Sequence, residues 1–448
     1  MFGLLLHTVL LALATLDTVN AALPTISVKG AKFFANGQQF FIKGVAYQGT
    51  PSDPLVDTQQ CQLDATLMQS IGANSIRVYH IDPYSNHDGC MNAFASAGIY
   101  VWLDLDTFNT TIVQTAPTWT DTQFIAFVEV MDIFAGYKNL AGFWIGNEVI
   151  NEVGGSSSAP FIKAAVHDMK EYMAAKSYRR IPIGYSAADI AELRPMLQNY
   201  LTCGSDYNAS IDFFGLNSYE WCGDSSYQTS GYAILQAMSQ DYPVPTFFSE
   251  TGCNVSPPRT FTDQAAIFGP NMTGTWSGSI IYEWCEEMNN YGLVNYPNGQ
   301  IYNGAPQPLQ PDFDNLSNQW KNINPSGVAE SAYTPSLTAP GCPLPTGGWG
   351  VNGNVPLPTL DQSVVEAYAL SGVKPTQVAT TASSSTSVAA QTTVASSSAP
   401  TTAAAVENKS LSTATLPRPT TTTSRALGAK VAVQVGSGLL WWIPGLLV

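Results

Sequence analysis

Charge is scarce in this chain. Only 11% of its 448 residues are Asp, Glu, Lys or Arg, well under the usual quarter. Basic residues are the scarcer sign, 18 against 33 acidic, for a net charge of −15. That field repels a phosphate backbone and argues against a nucleic-acid partner. No CxxC pair occurs among the seven cysteines, so a zinc ribbon is not indicated. No cluster has metal-ligand spacing, and neither a metal nor an organic cofactor is expected. No glycine-rich phosphate loop follows a strand; "GVNGN" at 350–354 lies outside the strand-like runs. What is abundant is apolar, 45% of the chain, enough for one large core or two smaller ones. The 20 Tyr, 10 Trp and 19 Phe suit stacking on sugar rings, although most aromatics in a globular chain are core. A neutral substrate is expected.

Both ends read as processing signals. Residues 1–22 hold an apolar core followed by Ala21 and Ala22, as a cleaved secretory signal does, although Lys and Arg are missing before the core. Residues 428–448 are apolar to the last residue with no charged flank, which a spanning helix would usually carry. Small residues at Ser424, Ala426 and Gly428 precede a short spacer and then the apolar tail, the pattern of a glycosylphosphatidylinositol attachment signal. Export to the cell surface is expected, at the outer face of the plasma membrane or in the wall. Six N-x-S/T sequons, at Asn109, Asn208, Asn254, Asn271, Asn315 and Asn408, agree with export. The cysteines Cys61, Cys90, Cys203, Cys222, Cys253, Cys285 and Cys342 can then form disulfides, and the odd count leaves at least one free or shared with another chain.

Residues 376–427 are Ser, Thr and Ala with little charge, a composition that cannot bury a core and reads as a disordered O-glycosylated stalk. The folded body is expected over 23–345, with 346–375 as a transition. Within it, eight apolar runs recur, at 40–49, 74–82, 98–106, 141–149, 180–188, 211–220, 244–252 and 277–286. They are rich in β-branched and aromatic residues, as strands are. Helix-like stretches lie between several, such as 61–73 and 160–177, where Phe161, Ala165, Met169 and Met173 make a stripe. Eight such units over about 250 residues predict a (β/α)8 barrel. The other fold considered is an open doubly wound sheet. In a barrel the chemistry sits at the carboxyl ends of the strands. Those ends carry Tyr47, Tyr79, Asp104, Glu148, Asp189, Tyr219, Glu250 and Tyr282.

Two of these ends suggest a reaction. "GFWIGNEVINEVGG" brings Asn147 and Glu148 to the end of the fourth run, and "FFSETG" brings Glu250 to the seventh. Retaining glycoside cleavage needs two carboxyls about 5–5.5 Å apart, one to protonate the leaving oxygen and one to attack the anomeric carbon. Glu148 follows an apolar strand, so burial would keep it protonated, and Asn147 is placed to bond a sugar 2-hydroxyl. Glu152 lies beyond the strand end and reads as a solvated loop residue. Glu220, Glu283, Glu286 and Glu287 are rival carboxylates beside strand ends, and strand alternation alone does not say which way they point.

The set "GVAYQG", "RVYHID", "GNEVIN", "NSYEWCG", "FFSETGCN" and "IIYEW" resembles glycoside hydrolase family 72, the fungal cell-wall β-1,3-glucanosyltransferases held by glycosylphosphatidylinositol. The likeness runs from about Leu23 to Cys342. It implies a (β/α)8 barrel and a retaining transfer that elongates β-1,3-glucan, with Glu148 as acid/base and Glu250 as nucleophile. Tyr79, Asn147 and Tyr282 match positions on the donor glucan, Asp189 and Arg194 positions on the acceptor, and Tyr219 a tyrosine beside the nucleophile. The bridges implied are Cys61–Cys90, Cys203–Cys342 and Cys222–Cys253, leaving Cys285 unpaired. No cysteine follows Cys342, which resembles the short type without the cysteine-rich carbohydrate-binding module. A monomer acting on a β-1,3-glucan donor and acceptor is expected. A secreted endo-β-1,3-glucanase is the alternative with the same two glutamates, and a non-catalytic glucan-binding wall protein is the alternative of another class.

Overall fold

The computed structural model describes residues 23–48, 53–107 and 109–371. The expected signal, stalk and anchor segments at 1–22, 376–427 and 428–448 lie outside them.

The chain opens with a small antiparallel sheet of β1 (Ile26–Lys29), β2 (Lys32–Ala35) and β3 (Gln38–Gln39). Its second turn is Asn36–Gly37, with φ of 49° and 73°. Two successive left-handed residues are what a tight hairpin needs, and Asn-Gly supplies them at little steric cost. Eight parallel strands follow and close on themselves: β4 (Ile42–Ala46), β5 (Ser75–Val78), β6 (Tyr100–Asp104), β7 (Leu140–Asn147), β8 (Ile183–Ala188), β9 (Phe213–Asn217), β10 (Thr246–Thr251) and β11 (Trp276–Ile281). Each falls within or overlaps one of the eight runs, and β11 pairs with β4 to complete the barrel. The open-sheet alternative is therefore excluded. A short ribbon, β12 (Val294–Asn295) and β13 (Gln307–Pro308), lies beyond.

Helices cover the barrel outside: α1 (Thr58–Ser70), α2 (Asp88–Ser96), α3 (Asp121–Phe134), α4 (Ala159–Ala175), α5 (Arg194–Thr202), α6 (Tyr232–Ser239), α7 (Thr262–Ile267) and α8 (Asp312–Lys321). Asp57 caps α1 through its side chain, and Thr120 with Gln123 forms a capping box on α3. Strand alternation sorts the core into two layers. Facing helices are residues such as Val45, Ile76, Leu103 and Phe143; inside the barrel are Trp102, Trp144, Phe213, Phe247 and Ile280. The opening sheet plugs this inner layer. Phe33 of β2 packs on Trp102 at 5.1 Å and on Phe213 and Phe247 at 5.8 Å each. The inner layer is tight: a Cβ on Gly215 would stand 2.6 Å from the Trp144 ring and from Ser249 Oγ.

Three disulfides form, Cys61–Cys90, Cys203–Cys342 and Cys222–Cys253, the pairs the resemblance implies. Cys285 is a buried free thiol. The segment expected as a transition is folded against the body as far as Ser371. Trp349 is buried against Tyr200, and the Leu360 N–H donates to Asp168 at 2.8 Å. Helix α9 (Gln362–Ser371) then sets Val365 into the core and Tyr368 against Phe124 of α3.

Candidate active site

At the carboxyl ends of the strands, Glu148 and Glu250 stand on the fourth and seventh barrel strands with one amide between them. Asn217, the last residue of β9, is registered against Glu250. Its Nδ2 donates to Glu148 Oε1 at 3.0 Å and to Asn147 Oδ1 at 3.1 Å. Its Oδ1 accepts from Ser186 and Ser249 hydroxyls at 2.9 and 2.7 Å, which fixes the amide's orientation. Glu148 itself has φ of 47°, and its N–H is tied to Ser186 O at 2.8 Å. A left-handed non-glycine residue at a strand end re-aims the side chain and is uncommon.

The two carboxyls have different surroundings. Glu250 is 8% exposed. Tyr79 OH donates to its Oε1 at 2.9 Å, Tyr219 OH donates to its Oε2 at 2.8 Å, and Arg77 Nη1 lies 3.6 Å from Oε1. Burial pushes the Glu250 carboxyl up, while Arg77 and the two phenols favour its charged form. Burial and then the Glu250 charge hold both phenols well above their usual range, so they remain O–H donors. Among the described residues, the Asn217 amide is the donor that reaches the Glu148 carboxyl. Burial first, and next the Glu250 charge, push its carboxyl up to about 7.

Arg77 is the hub beneath the pair. It is fully buried on β5 and bonds both Asp104 oxygens, at 3.2 and 2.9 Å. The same guanidinium reaches Asn147 Oδ1 at 2.9 Å and Ser186 Oγ at 3.0 Å. It stacks on Tyr79 and Trp144, 4.3 and 4.7 Å from the ring centres.

The remaining expected residues cluster around this centre. Tyr219, Tyr282 and Tyr291 meet edge-to-face, with centroids 5.4–6.4 Å apart. On the β8 side, Asp189 pairs with Arg194 at 2.8 Å and accepts from Ser218 Oγ at 2.7 Å. Arg194 also lies 3.5 Å from Glu220. The Asp189 charge is one of the causes that raise Glu148.

Some rim assignments change. Tyr47 points away from the site into the layer under α1, its hydroxyl on Asp64 at 2.7 Å, because alternation along β4 turns it outward. Asp104 serves Arg77 inside the barrel instead of facing the groove. Glu152 is exposed. Glu286 accepts from the Gly292 N–H at 2.8 Å and belongs to its own loop. Sequence reasoning missed Arg77 and Asn217. The signal was present: a lone arginine inside the apolar run "NSIRVYHID", and an asparagine at the same strand-end level as Asn147.

Residues 15–324 match the family model of glycoside hydrolase family 72, described as glucanosyltransferase. The chain is 40% identical to the 1,3-beta-glucanosyltransferase gas2 of Schizosaccharomyces pombe, over 78% of each chain. It is 39% identical to 1,3-beta-glucanosyltransferase GAS5 of Saccharomyces cerevisiae, covering 79% of this chain and 73% of that one. Among solved structures, a glutamate-to-glutamine mutant of Saccharomyces cerevisiae Gas2p in complex with laminaritetraose and laminaripentaose superposes with a TM-score of 0.70. That pair is 38% identical, with 76% of each chain covered. On the barrel, the motifs and these similarities together, the chain belongs to glycoside hydrolase family 72, the glucanosyltransferases.

Proposed function

We propose that this protein is a retaining β-1,3-glucanosyltransferase in which Glu250 is the nucleophile and Glu148 the acid/base. The observation that carries the assignment is the unequal surroundings of the two carboxyls. Two O–H donors, one on each oxygen of Glu250, and the Arg77 guanidinium beside them favour the carboxylate over the acid. Glu148, pushed to about 7, holds a proton in mildly acidic medium, as a general acid must.

In the first step Glu250 attacks the anomeric carbon of an internal linkage. The carbon–oxygen bond to the reducing-end fragment breaks, and Glu148 gives its proton to the leaving oxygen. The fragment departs and a glycosyl–Glu250 ester remains. In the second step the non-reducing 3-hydroxyl of another glucan enters. Glu148 takes its proton, the ester bond breaks and a new β-1,3 link forms. Tyr79, Asn147 and Tyr282 serve the donor side, Tyr219 orients the Glu250 carboxylate, and Asp189 and Arg194 serve the acceptor side. The substrate class is supported by the relatives, which are named 1,3-beta-glucanosyltransferases, and by the laminari-oligosaccharides bound to Gas2p.

The apolar segment at 1–22, the Ser/Thr-rich 376–427 and the apolar 428–448 support export and lipid anchoring at the cell surface. The test of function is incubation with a reduced β-1,3-linked oligoglucose and sizing of the products. Products longer than the substrate support transfer; only shorter ones reassign the protein to hydrolysis.

A further inference from the structure

Glu283 is a carboxyl that the reaction above leaves unused. It follows Tyr282 just beyond β11 and is fully buried. Both of its oxygens meet amide donors, Asn289 Nδ2 at 2.7 Å and Gln48 Nε2 at 3.1 Å. The same Gln48 nitrogen bonds the Tyr282 hydroxyl. The partners are themselves held: Tyr302 OH donates to Gln48 O at 2.6 Å, and Asn254 Nδ2 donates to Asn289 O at 2.9 Å. A relay thus runs from a buried carboxyl through one amide to a half-buried phenol beside Tyr219.

An amide nitrogen only donates and an amide oxygen only accepts. When Glu283 is ionised, its oxygens only accept, so Gln48 keeps its nitrogen toward them. That nitrogen also gives a hydrogen to the Tyr282 oxygen, and the phenol's own hydrogen is left for a ligand. When Glu283 is protonated, its O–H needs an acceptor. The Gln48 amide turns over, and its oxygen then takes the phenol's hydrogen as well. We propose that Glu283 is a positioning residue that selects, through the Gln48 amide, whether Tyr282 offers the donor glucan a hydrogen or a lone pair. This rests on the reading of Tyr282 as a donor-glucan contact. Among the described residues, the titratable and charged groups around Glu283 are the Glu250 and Glu287 carboxyls, the Tyr282 and Tyr291 phenols, the Cys285 thiol and the Arg259 guanidinium, which donates to the Tyr282 carbonyl at 3.0 Å. Burial first, then the Glu287 and Glu250 charges, push it up to about 8 against the Asn289 and Gln48 donors. The ligand atom assigned to Tyr282 is a glycosidic or ring oxygen, which only accepts, unlike the sugar hydroxyls, so the ionised form of Glu283 binds glucan more tightly.

The test uses the full chain carrying Glu148→Gln to stop turnover, with laminaripentaose titrated calorimetrically at pH 9 and pH 6. Glu283→Gln, Tyr282→Phe and the pair are compared in that background. At pH 9, Glu283→Gln is expected to weaken binding about five- to ten-fold, the size of one hydrogen bond. At pH 6 it changes nothing, because the parent is already protonated there. Added to Tyr282→Phe, it changes nothing at either pH. If Tyr282→Phe weakens binding but the two losses add at pH 9, or Glu283→Gln acts equally at both pH values or not at all, the role of Glu283 is overturned. If Tyr282→Phe leaves binding unchanged, the donor-contact reading beneath it is what fails. Should Glu283→Gln not fold, Gln48→Met severs the relay. It must then abolish the pH difference in binding, and a difference that persists overturns the proposal.

Discussion

Glu250 accepts two phenol hydrogens beside a guanidinium, whereas Glu148 accepts one amide hydrogen and faces the charges of Glu250 and Asp189. The general acid must be protonated, so activity is lost as pH rises through the Glu148 titration. The alkaline limb of kcat/KM is expected near pH 7, and Glu148→Gln should lower kcat by about 10²–10⁴-fold. The same titration affects stability. Glu148 binds its proton more tightly folded, at about 7, than at its ordinary 4.5, so stability falls as pH rises between those values. Glu148→Gln removes that loss. It should be more stable than the parent by up to about 3 kcal/mol at pH 8 and by nothing at pH 4, as denaturant melts at the two values would report. Arg77→Met leaves Asp104 buried and unpaired, and a loss of about 3–5 kcal/mol is expected in the same assay. At this scale the sequence was half legible. Residues at strand ends were readable because they end apolar runs. Arg77 was not, because its role comes from strand alternation pointing it inward, toward partners on β6, β7 and β8.

The eight barrel strands were legible as elements because parallel strands are buried on both faces and read as continuous apolar runs. The opening sheet was not read from the sequence, since β1 and β2 are only four residues each, although Asn36–Gly37 marks its turn. Its packing makes it part of the core. Phe33→Ala empties the ring contacts to Trp102, Phe213 and Phe247 and should destabilise by about 3–5 kcal/mol in chemical denaturation. The segment from Thr346 to Ser371 also escaped the reading. It has little periodicity, and its order comes from contacts made far away in sequence, with Tyr200, Asp168 and Phe124.

Over the whole body, one disulfide ties the barrel's later half to its closing segment and another ties α1 to α2. Cys203–Cys342 closes 139 residues and Cys61–Cys90 closes 29. On loop-closure entropy, removing the first should cost about 5 kcal/mol and the second about 3.5, so Cys342→Ser should be the less stable variant in denaturant titration. The central claim is that one barrel rim breaks and remakes a β-1,3 link through Glu148 and Glu250. Product sizing after incubation with a reduced β-1,3-linked oligoglucose tests it most directly. Oligosaccharides longer than the substrate, formed by the parent and absent with Glu250→Gln, are the expected result; products that are only shorter, or a Glu250→Gln protein that still elongates, would contradict it.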